Sequence, residues 1–479
     1  MSSIVIPKAP NTANLEEITS VFNAQRENAM AISQSSARER KRKIKKIQEY
    51  TLDHANQLTE ALYKDFRKTE AETILSETMI VDQEAQLALK HLEKWMKPEK
   101  VPTPITHVGT SSYIHRVAKG NMLIMAPWNY PFQLAIRPLV MSVAAGNVNI
   151  LKPSEMTPHT SAFIKTMIGD IFAENECAVF EGDATIGQHL LSLPFNHIHF
   201  TGSPQVGKIV MRAAAEHLTS VTLELGGKSP AIVDETANIK DIAEKFAWGK
   251  TFNNGQTCIA PDYAIVHHSV KEKFINYFKN ALDKMYNEGS GIENSTSYCR
   301  IINANHFHRI TQLIDDAVQK GANIEAGGHT NPEDNYIAPT LLTDVNDDMD
   351  IMHEEIFGPV LPVIEYEKKS DVLEIINARP RPLAMYIGSR NKKNVDYFLN
   401  GTISGDVLIN DSLIHFAHNG IPVGGVNNSG IGKSGGHASF KEMTHERSVV
   451  QQVYGTFKPL YPPYTDSVMK IIRTMLKWL

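Results

Sequence analysis

Between Tyr113 and Leu225 the chain alternates short apolar runs with longer stretches whose apolar residues recur at helical spacing, and this constrains the fold more than any other feature. Residues 121–125, 148–151, 197–200 and 221–225 predict strands, and residues 131–145, 158–172 and 206–217 predict helices between them. Strands separated by helices lie parallel, because a parallel return needs a crossover long enough to hold a helix. The expected result is a doubly wound parallel sheet covered on both faces, with ligands beyond the carboxyl ends of its strands. The pattern restarts after Gly226, with helices near 271–286 and 305–320 and an apolar strand at 360–364, which predicts a second α/β domain.

Ahead of this region, residues of about 12–98 read as a helical run nearly free of Gly and Pro. Inside it, the basic stretch from Arg38 to Ile47 keeps its apolar residues at helical spacing, which predicts a solvated helix face rather than a binding patch. Residues 98–104, with three prolines, predict a stiff, non-helical linker. A chain of 479 residues exceeds one ordinary core and suggests two or three domains. With 48 Lys and Arg against 53 Asp and Glu, the net charge of −5 offers no electrostatic case for a nucleic-acid partner. No apolar run reaches the roughly 18 residues of a membrane span, and Met1 to Lys8 lack the pattern of a secretory signal. Three cysteines, Cys177, Cys258 and Cys299, make no disulfide framework, so a cytoplasmic protein is expected. Neither Cys nor His pairs show metal-ligand spacing, so no metal is expected. After Pro462-Pro463, the apolar residues Val468, Ile471, Ile472, Met475, Leu476 and Trp478 predict an amphipathic helix. It would dock on its own chain or on a partner subunit; a peripheral membrane anchor is the alternative.

Five segments carry residue types suited to one chemistry. Cys258 stands in Asn253-Asn254-Gly255-Gln256-Thr257-Cys258, where small and polar neighbours leave a thiol open to substrate. Its thiolate would be a nucleophile; the alternative, assigned to Cys177 and Cys299, is a structural cysteine. Glu224 ends a predicted strand just before Gly226-Gly227. There a carboxylate raised by burial would serve as a general base for water, unless it is a surface charge beside a turn. Asn129, in Ala126-Pro127-Trp128-Asn129-Tyr130-Pro131, offers an uncharged amide donor for an oxyanion, or else shapes an Asn-X-Pro turn. Phe200-Thr201-Gly202-Ser203-Pro204-Gln205-Val206-Gly207 follows a strand and opens a helix, the context for binding a dinucleotide, with Pro204 in place of the usual middle glycine. Lys152 and Glu155, at another strand end, suit ribose hydroxyls or phosphate, or cap the next helix.

In this order the segments resemble the aldehyde dehydrogenase family, its class 3 branch most. The resemblance runs along nearly the whole chain. It takes in Trp128-Asn129-Tyr130-Pro131-Phe132, Leu151-Lys152-Pro153-Ser154-Glu155, Phe200-Thr201-Gly202-Ser203 and Leu223-Glu224-Leu225-Gly226-Gly227-Lys228. It continues through Gly255-Gln256-Thr257-Cys258, Glu354-Glu355-Ile356-Phe357-Gly358-Pro359 and Gly424-Gly425-Val426-Asn427-Asn428-Ser429-Gly430, with the family's spacing of 34 residues from Glu224 to Cys258.

The resemblance implies an α/β fold of two doubly wound parallel-sheet domains with a small bridging, oligomerising element. Residues 1–104 and 117–225 would form the NAD(P)-binding domain, 226–413 the catalytic domain, and 105–116 with 414–479 the bridging segments and tail. Cys258 would be the nucleophile, Glu224 the base and Asn129 the oxyanion donor. Lys152 and Glu155 would hold the adenosine ribose, while Gly202, Ser203, Val206 and Gly207 border phosphates and adenine. Glu355 and Phe357 would place the nicotinamide ribose and ring, beside Pro127 and Trp128. Tyr130, Leu134 and Val423 would line a pocket for a medium-chain aliphatic or aromatic aldehyde. NAD or NADP is the implied cofactor and a homodimer the implied assembly. Val423 replaces a usual Phe of this branch, and Ser434-Gly435 replace a common Tyr-His, both near the substrate pocket. Other readings are acyl transfer to coenzyme A and a binding protein of the same fold without turnover.

Overall fold

A computed structural model describes residues 14–477. The readings of Met1 to Lys8 and of Trp478 fall outside the described residues. The helical N-terminal run consists of helices Leu15–Ser33, Ala37–Asp53, Ala55–Phe66 and Met79–Trp95, joined before the last by a short helix Glu70–Thr73 and a π-helical turn Ile74–Thr78. Ser36 begins the second helix with a capping box to Glu39, which satisfies two otherwise unpaired N–H groups. The basic stretch within that helix is mostly solvated, with one correction. Arg40 is buried, and its guanidinium donates to the carbonyl oxygens of Ala144 and Ser33. It thereby satisfies the carboxyl end of helix Gln133–Ala145, which is buried along its whole length.

That helix covers one face of a six-stranded sheet. In spatial order the strands are Gly430–Ile431, Ser220–Glu224, His197–Thr201, Asn121–Met125, Val148–Lys152 and Cys177–Val179. All neighbours are parallel except the first, which is antiparallel to Ser220–Glu224. The short strand Cys177–Val179 has no counterpart in the sequence-based expectation, because three residues give no periodicity to detect. A second, seven-stranded sheet runs Asn323–Ala326, Thr340–Thr343, Val360–Tyr366, Tyr263–His267, Pro230–Val233, Ala384–Gly388 and Asp406–Ile409. Only its first strand is antiparallel to its neighbour. The fold is therefore two parallel sheets with helices on their faces, as an aldehyde-dehydrogenase-like α/β chain requires.

Two segments go further than the sequence-based expectation. The proline-flanked linker contains an edge strand, Glu99–Val101, which pairs with Thr110–Ala118; that strand pairs in turn with Thr444–Gln452 over nine register positions. Pro102 and Pro104 lack an N–H, but an edge strand needs its donors on one side only. The tail helix Asp466–Leu476 forms, yet none of its residues is buried. Ile471 is 45 % and Leu476 72 % exposed, as are Tyr461 and Tyr464 ahead of them, so the segment does not dock on its own chain. Among the described residues, no helix is long and apolar enough to cross a membrane.

Candidate active site

The two sheets contribute to the site from opposite strand ends. The first offers the carboxyl ends of its strands: Met125 leads to Asn129, Thr201 to Gly202 and Ser203, and Glu224 closes its own strand. The second offers amino ends, since Cys258 precedes strand Tyr263–His267 and Glu355 with Phe357 precedes strand Val360–Tyr366. The rule of carboxyl ends thus holds for one half of the site only.

Cys258 is reached through three consecutive left-handed residues, Asn253, Asn254 and Gly255, with φ of 54°, 57° and 70°. Asn tolerates this region better than most side chains. At 255 a Cβ would lie 2.3 Å from the carbonyl oxygen of Gly358, so only glycine fits. Buried hydrogen bonds hold the turn. Asn254 Nδ2 donates to the Cys299 carbonyl at 2.6 Å, and Gln256 Nε2 donates to the Arg300 carbonyl at 3.0 Å. The Asn253 N–H donates to both carboxylate oxygens of Glu72 at 3.2 Å. Cys258 itself is half-buried, whereas Cys177 and Cys299 are buried. Burial first, then the negative charges of Glu355 and Glu224, push the Cys258 thiol up to about 12.

Asn129 is tied directly to this turn. Its Nδ2 donates to the Gln256 carbonyl at 3.0 Å, while Asn253 Nδ2 donates to the Asn129 carbonyl at 3.0 Å. An amide nitrogen carries two N–H groups, so one anchors the side chain and the second remains for a ligand. Tyr130 hydrogen-bonds through its hydroxyl to Thr257, beside Cys258, at 2.6 Å. Beneath Tyr130, Lys68 Nζ lies 4.0 Å from the ring centre and 3.1 Å from Glu77, whose other oxygen accepts from the Gln133 N–H at 2.7 Å. Glu72 and Glu77, from one short helix and its π turn, therefore brace the Cys258 loop and the Asn129 segment from below. Sequence reasoning missed both. They lie in an unbroken helical run, and only their charge on an inward-facing turn could have marked them.

Glu224 is buried, and its carbonyl accepts from the Gly202 N–H at 3.0 Å. Burial raises its carboxyl to about 8, against the opposing pull of the Ser434 hydroxyl, Lys433 and Arg137. Its Oε1 has no hydrogen-bond partner in the protein. Glu224 and Cys258 border the same small cavity, together with Val423, Ser434 and Gly435. Val423 therefore sits beside the carboxylate and not in the larger pocket.

That larger pocket has room of about 230 Å³ and borders Cys258. Tyr130 and Leu134 line it, with Trp248, Phe252, Leu413 and Ile414. None of its lining side chains carries a charge.

The cofactor candidates occupy the other side of the strand ends. Lys152 Nζ pairs with Glu155 at 2.9 Å. Ser203 caps helix Pro204–Ala215 by accepting from the Val206 N–H, and Val206 is exposed at that helix start. Gly207 is buried, and a Cβ there would lie 2.6 Å from Leu225, so the helix packs closely on the next strand. Trp128 meets Phe357 edge-on, ring centres 5.3 Å apart, with Pro127 half-buried beside it. The Glu355 carboxylate lies over the Gly226 backbone, where a Cβ would come within 2.1 Å of it. Three residues that sequence reasoning gave no role hold this loop. Lys228 bonds to Asp262 and to the Ile351 and Glu354 carbonyls, Asp262 accepts from the Ile356 N–H, and Arg309 donates to the Glu355 and Ile356 carbonyls.

Known proteins share this architecture. The aldehyde dehydrogenase family model matches residues 5–449. The chain is 44 % identical to a 4,4'-diaponeurosporen-aldehyde dehydrogenase of Staphylococcus aureus, over 91 % of this chain and 94 % of that one. It is 41 % identical to aldehyde dehydrogenase family 3 comG of Dictyostelium discoideum, over 88 % and 89 %. A substrate-bound structure of Staphylococcus aureus AldH superposes with a TM-score of 0.91 at 40 % identity, over 96 % of this chain and 99 % of that one. An NAD+ complex of an aldehyde dehydrogenase from Bacillus cereus superposes with a TM-score of 0.82 at 27 % identity, over 92 % and 90 %. A match to the family model along nearly the whole sequence, and relatives this similar over their own full lengths, place the chain in the aldehyde dehydrogenase family, with family 3 members among its near relatives.

Proposed function

We propose that this chain oxidises an apolar aldehyde to its carboxylic acid with NAD or NADP, through a covalent intermediate on Cys258. One observation carries the reading: Cys258 ends an uncharged pocket, borders a cavity holding Glu224, and follows a loop bonded to the Asn129 amide. These are the parts of a single acyl-forming and acyl-hydrolysing site.

The donor set fits a nicotinamide dinucleotide. Lys152 and Glu155 suit ribose hydroxyls, the start of helix Pro204–Ala215 suits phosphate, and Glu355 with Phe357 suits the second ribose and the nicotinamide ring. The NAD+ complex of the Bacillus cereus relative supports this assignment. When bound, the oxidised nicotinamide supplies the hydride acceptor.

The chain's own residues do the rest. The Cys258 thiol gives up its proton to water at the pocket, the sulfur bonds to the aldehyde carbon, and the carbonyl oxygen takes up negative charge. The Asn129 amide and the Cys258 N–H hold that oxygen, worth about 3 kcal/mol for one well-placed donor. Oxidation leaves a thioester on Cys258. Glu224 then removes a proton from water as the water oxygen bonds to the thioester carbon; the C–S bond breaks and the acid leaves. The uncharged pocket supports apolar substrates, of medium-chain aliphatic or aromatic kind.

We assign residues 1–104 and 117–225 to the dinucleotide domain, 226–413 to the catalytic domain, and 105–116 with 414–479 to a bridging element of a homodimer. The long exposed strand Thr444–Gln452 and the undocked tail helix support that assembly. Sedimentation of the full chain tests it, and a monomer at micromolar concentration would exclude it. For the chemistry, a panel of aldehydes with each cofactor, read by reduced-nicotinamide absorbance, is the test. Turnover only when coenzyme A is added would transfer the reading to an acyl-coenzyme A producer.

A further inference from the structure

Helix Ile239–Thr251 ends at Phe252, whose N–H makes the last helical bond, to the Trp248 carbonyl. The N–H of Asn253 comes next, on a residue with φ of 54°. A side chain other than glycine keeps that conformation only where its surroundings over-determine it. The acceptor for this N–H is the Glu72 carboxylate, with both oxygens at 3.2 Å. Asn253 is fully buried and bonds in the other direction as well. Its Nδ2 donates to the Asn129 carbonyl at 3.0 Å and to the Gln256 carbonyl at 3.1 Å. The Gln256 carbonyl in turn accepts from Asn129 Nδ2 at 3.0 Å. Asn253 therefore joins the Cys258 turn to the Asn129 amide, and Glu72 holds its main chain.

Glu72 belongs to a closed cluster with one cation. Lys68 is fully buried, pairs with Glu77 at 3.1 Å and lies 4.0 Å from the Tyr130 ring centre. The Tyr130 hydroxyl meets Thr257, next to Cys258, at 2.6 Å. The titratable groups that face Glu72 are Lys68, Tyr130, Tyr286 at the end of helix Lys271–Tyr286, and the Cys299 thiol. Burial pushes the Glu72 carboxyl up to about 7, and the charge of Lys68 is the first of the forces opposing it. An ionised carboxylate accepts on both oxygens. Once protonated, one oxygen carries a hydrogen and the charge-assisted bond from Asn253 is weakened.

We propose that Glu72 is a positioning residue for the covalent step: its carboxylate fixes Asn253, and through Asn253 it sets the Cys258 turn against the Asn129 amide. The proposal rests on the reading of Cys258 as the nucleophile and Asn129 as the oxyanion donor. Glu72 borders neither the larger pocket nor the small cavity at Cys258, so it acts through Asn253 and not on the aldehyde. The brace is complete above about pH 7 and weakens below it, as Glu72 takes up a proton. Lys68 keeps the brace ionised. Reacting groups displaced by about 1 Å lose up to about 10²-fold in rate, so a loosened turn is felt first where sulfur and carbonyl must meet.

The test is the rate of the first burst of reduced nicotinamide, taken by stopped flow across neutral pH with saturating NAD and an aliphatic aldehyde. In the native protein an inflection near pH 7 is expected on top of the steady increase that deprotonation of Cys258 gives. Glu72→Gln keeps the shape and removes the charge. Its burst should be about 10-fold slower than native on the alkaline side, equal to native on the acid side, and free of the inflection. A native burst rate at every pH overturns the proposal, and so does a loss of the same size at every pH, which a merely structural role would give. Glu224→Gln should keep the inflection; if it removes the inflection instead, the titration belongs to the base and the proposal falls. Should Glu72→Gln fail to fold, the native series decides alone, and a profile without the inflection overturns the proposal. Cys258→Ala is run alongside. A burst from that protein would withdraw the nucleophile itself, a result distinct from failure of the Glu72 arm.

Discussion

Two spaces meet at the sulfur of Cys258 and differ in almost every physical respect. The larger is uncharged, wide at the mouth and lined by Trp248, Phe252, Leu134 and Ile414. The smaller is nearly closed and carries Glu224, His199, Thr201 and Ser434. An apolar wall recognises a chain of CH₂ groups by area, at about 0.8 kcal/mol for each one buried. A narrow, mostly apolar wall that encloses a carboxylate sets that carboxylate's pKa. One sulfur can therefore serve two tasks that would conflict in a single space: selecting an oily substrate and handling water and protons.

The largest effect is expected where the two spaces join. Cys258→Ala removes the sulfur on which both tasks depend, so turnover falls to background while cofactor binding, followed by fluorescence, is kept. A Cys258→Ala protein with native dehydrogenase activity would break the comparison at its root. Next in size is Glu224→Gln, which disables only the polar side. A burst of reduced nicotinamide equal to one per site is expected, followed by a steady rate lower by about 10²- to 10⁴-fold, the usual worth of a general base. The pH dependence has a definite sign. Glu224 acts as the carboxylate, and its carboxyl is raised to about 8, so hydrolysis increases as pH rises through that value and levels off above it. The increase should vanish in Glu224→Gln, which a rapid-quench pH series of thioester decay checks.

Asn129→Ala comes third, at about 10²- to 10³-fold in kcat, because it removes one oxyanion donor. Its structural contribution is separable. The Asn129 carbonyl still accepts from Asn253, so the turn keeps that bond and the melting temperature should move little. A kcat loss no larger than the loss in stability would reduce Asn129 to a turn residue.

The two spaces were unequally legible in the sequence. Polar chemistry sits in short segments with fixed neighbours, so Cys258, Glu224 and Asn129 could be singled out before any coordinates. Most of the first parallel sheet was legible for the same reason, since helix and strand periods alternate, whereas of the seven strands of the second only the one near 360–364 was. Long-range bracing was not. Glu72 reaches Asn253 across 181 positions, and Thr201 lies beside Glu224 only because two strands pair in one register. No local pattern encodes such a meeting. Val423 shows the limit from the other side: its neighbours suggested the substrate pocket, and the fold places it on the smaller cavity that Cys258, Leu134 and Phe416 also border.

The apolar space yields smaller, graded effects. If the pocket takes a chain of CH₂ groups, kcat/KM should climb roughly 4-fold for each added methylene until the substrate reaches the mouth, the factor equivalent to about 0.8 kcal/mol. Phe252, buried deep in the wall, sets the slope. Phe252→Ala should cut kcat/KM for long aldehydes by about 10-fold or more and spare the burst at saturation. A flat chain-length profile in the native protein would mean that the uncharged wall does not select.

Ile414, at the mouth of the same pocket, should give the smallest change and the sharpest distinction between the two spaces. It is 54 % exposed, so a bound chain could cover at most about half of its side chain. Full burial of such a side chain is worth about 1.5–3 kcal/mol, and half of that is about 1 kcal/mol. Ile414→Ser should therefore raise KM for the longest aldehydes by about 5-fold, leave short ones untouched, and shift stability by less than about 0.5 kcal/mol. The rate of thioester hydrolysis should not change, since the residue faces away from the cavity that holds Glu224. A hydrolysis rate that fell with Ile414→Ser would show the two spaces to be one, and the division of labour at Cys258 would have to be abandoned.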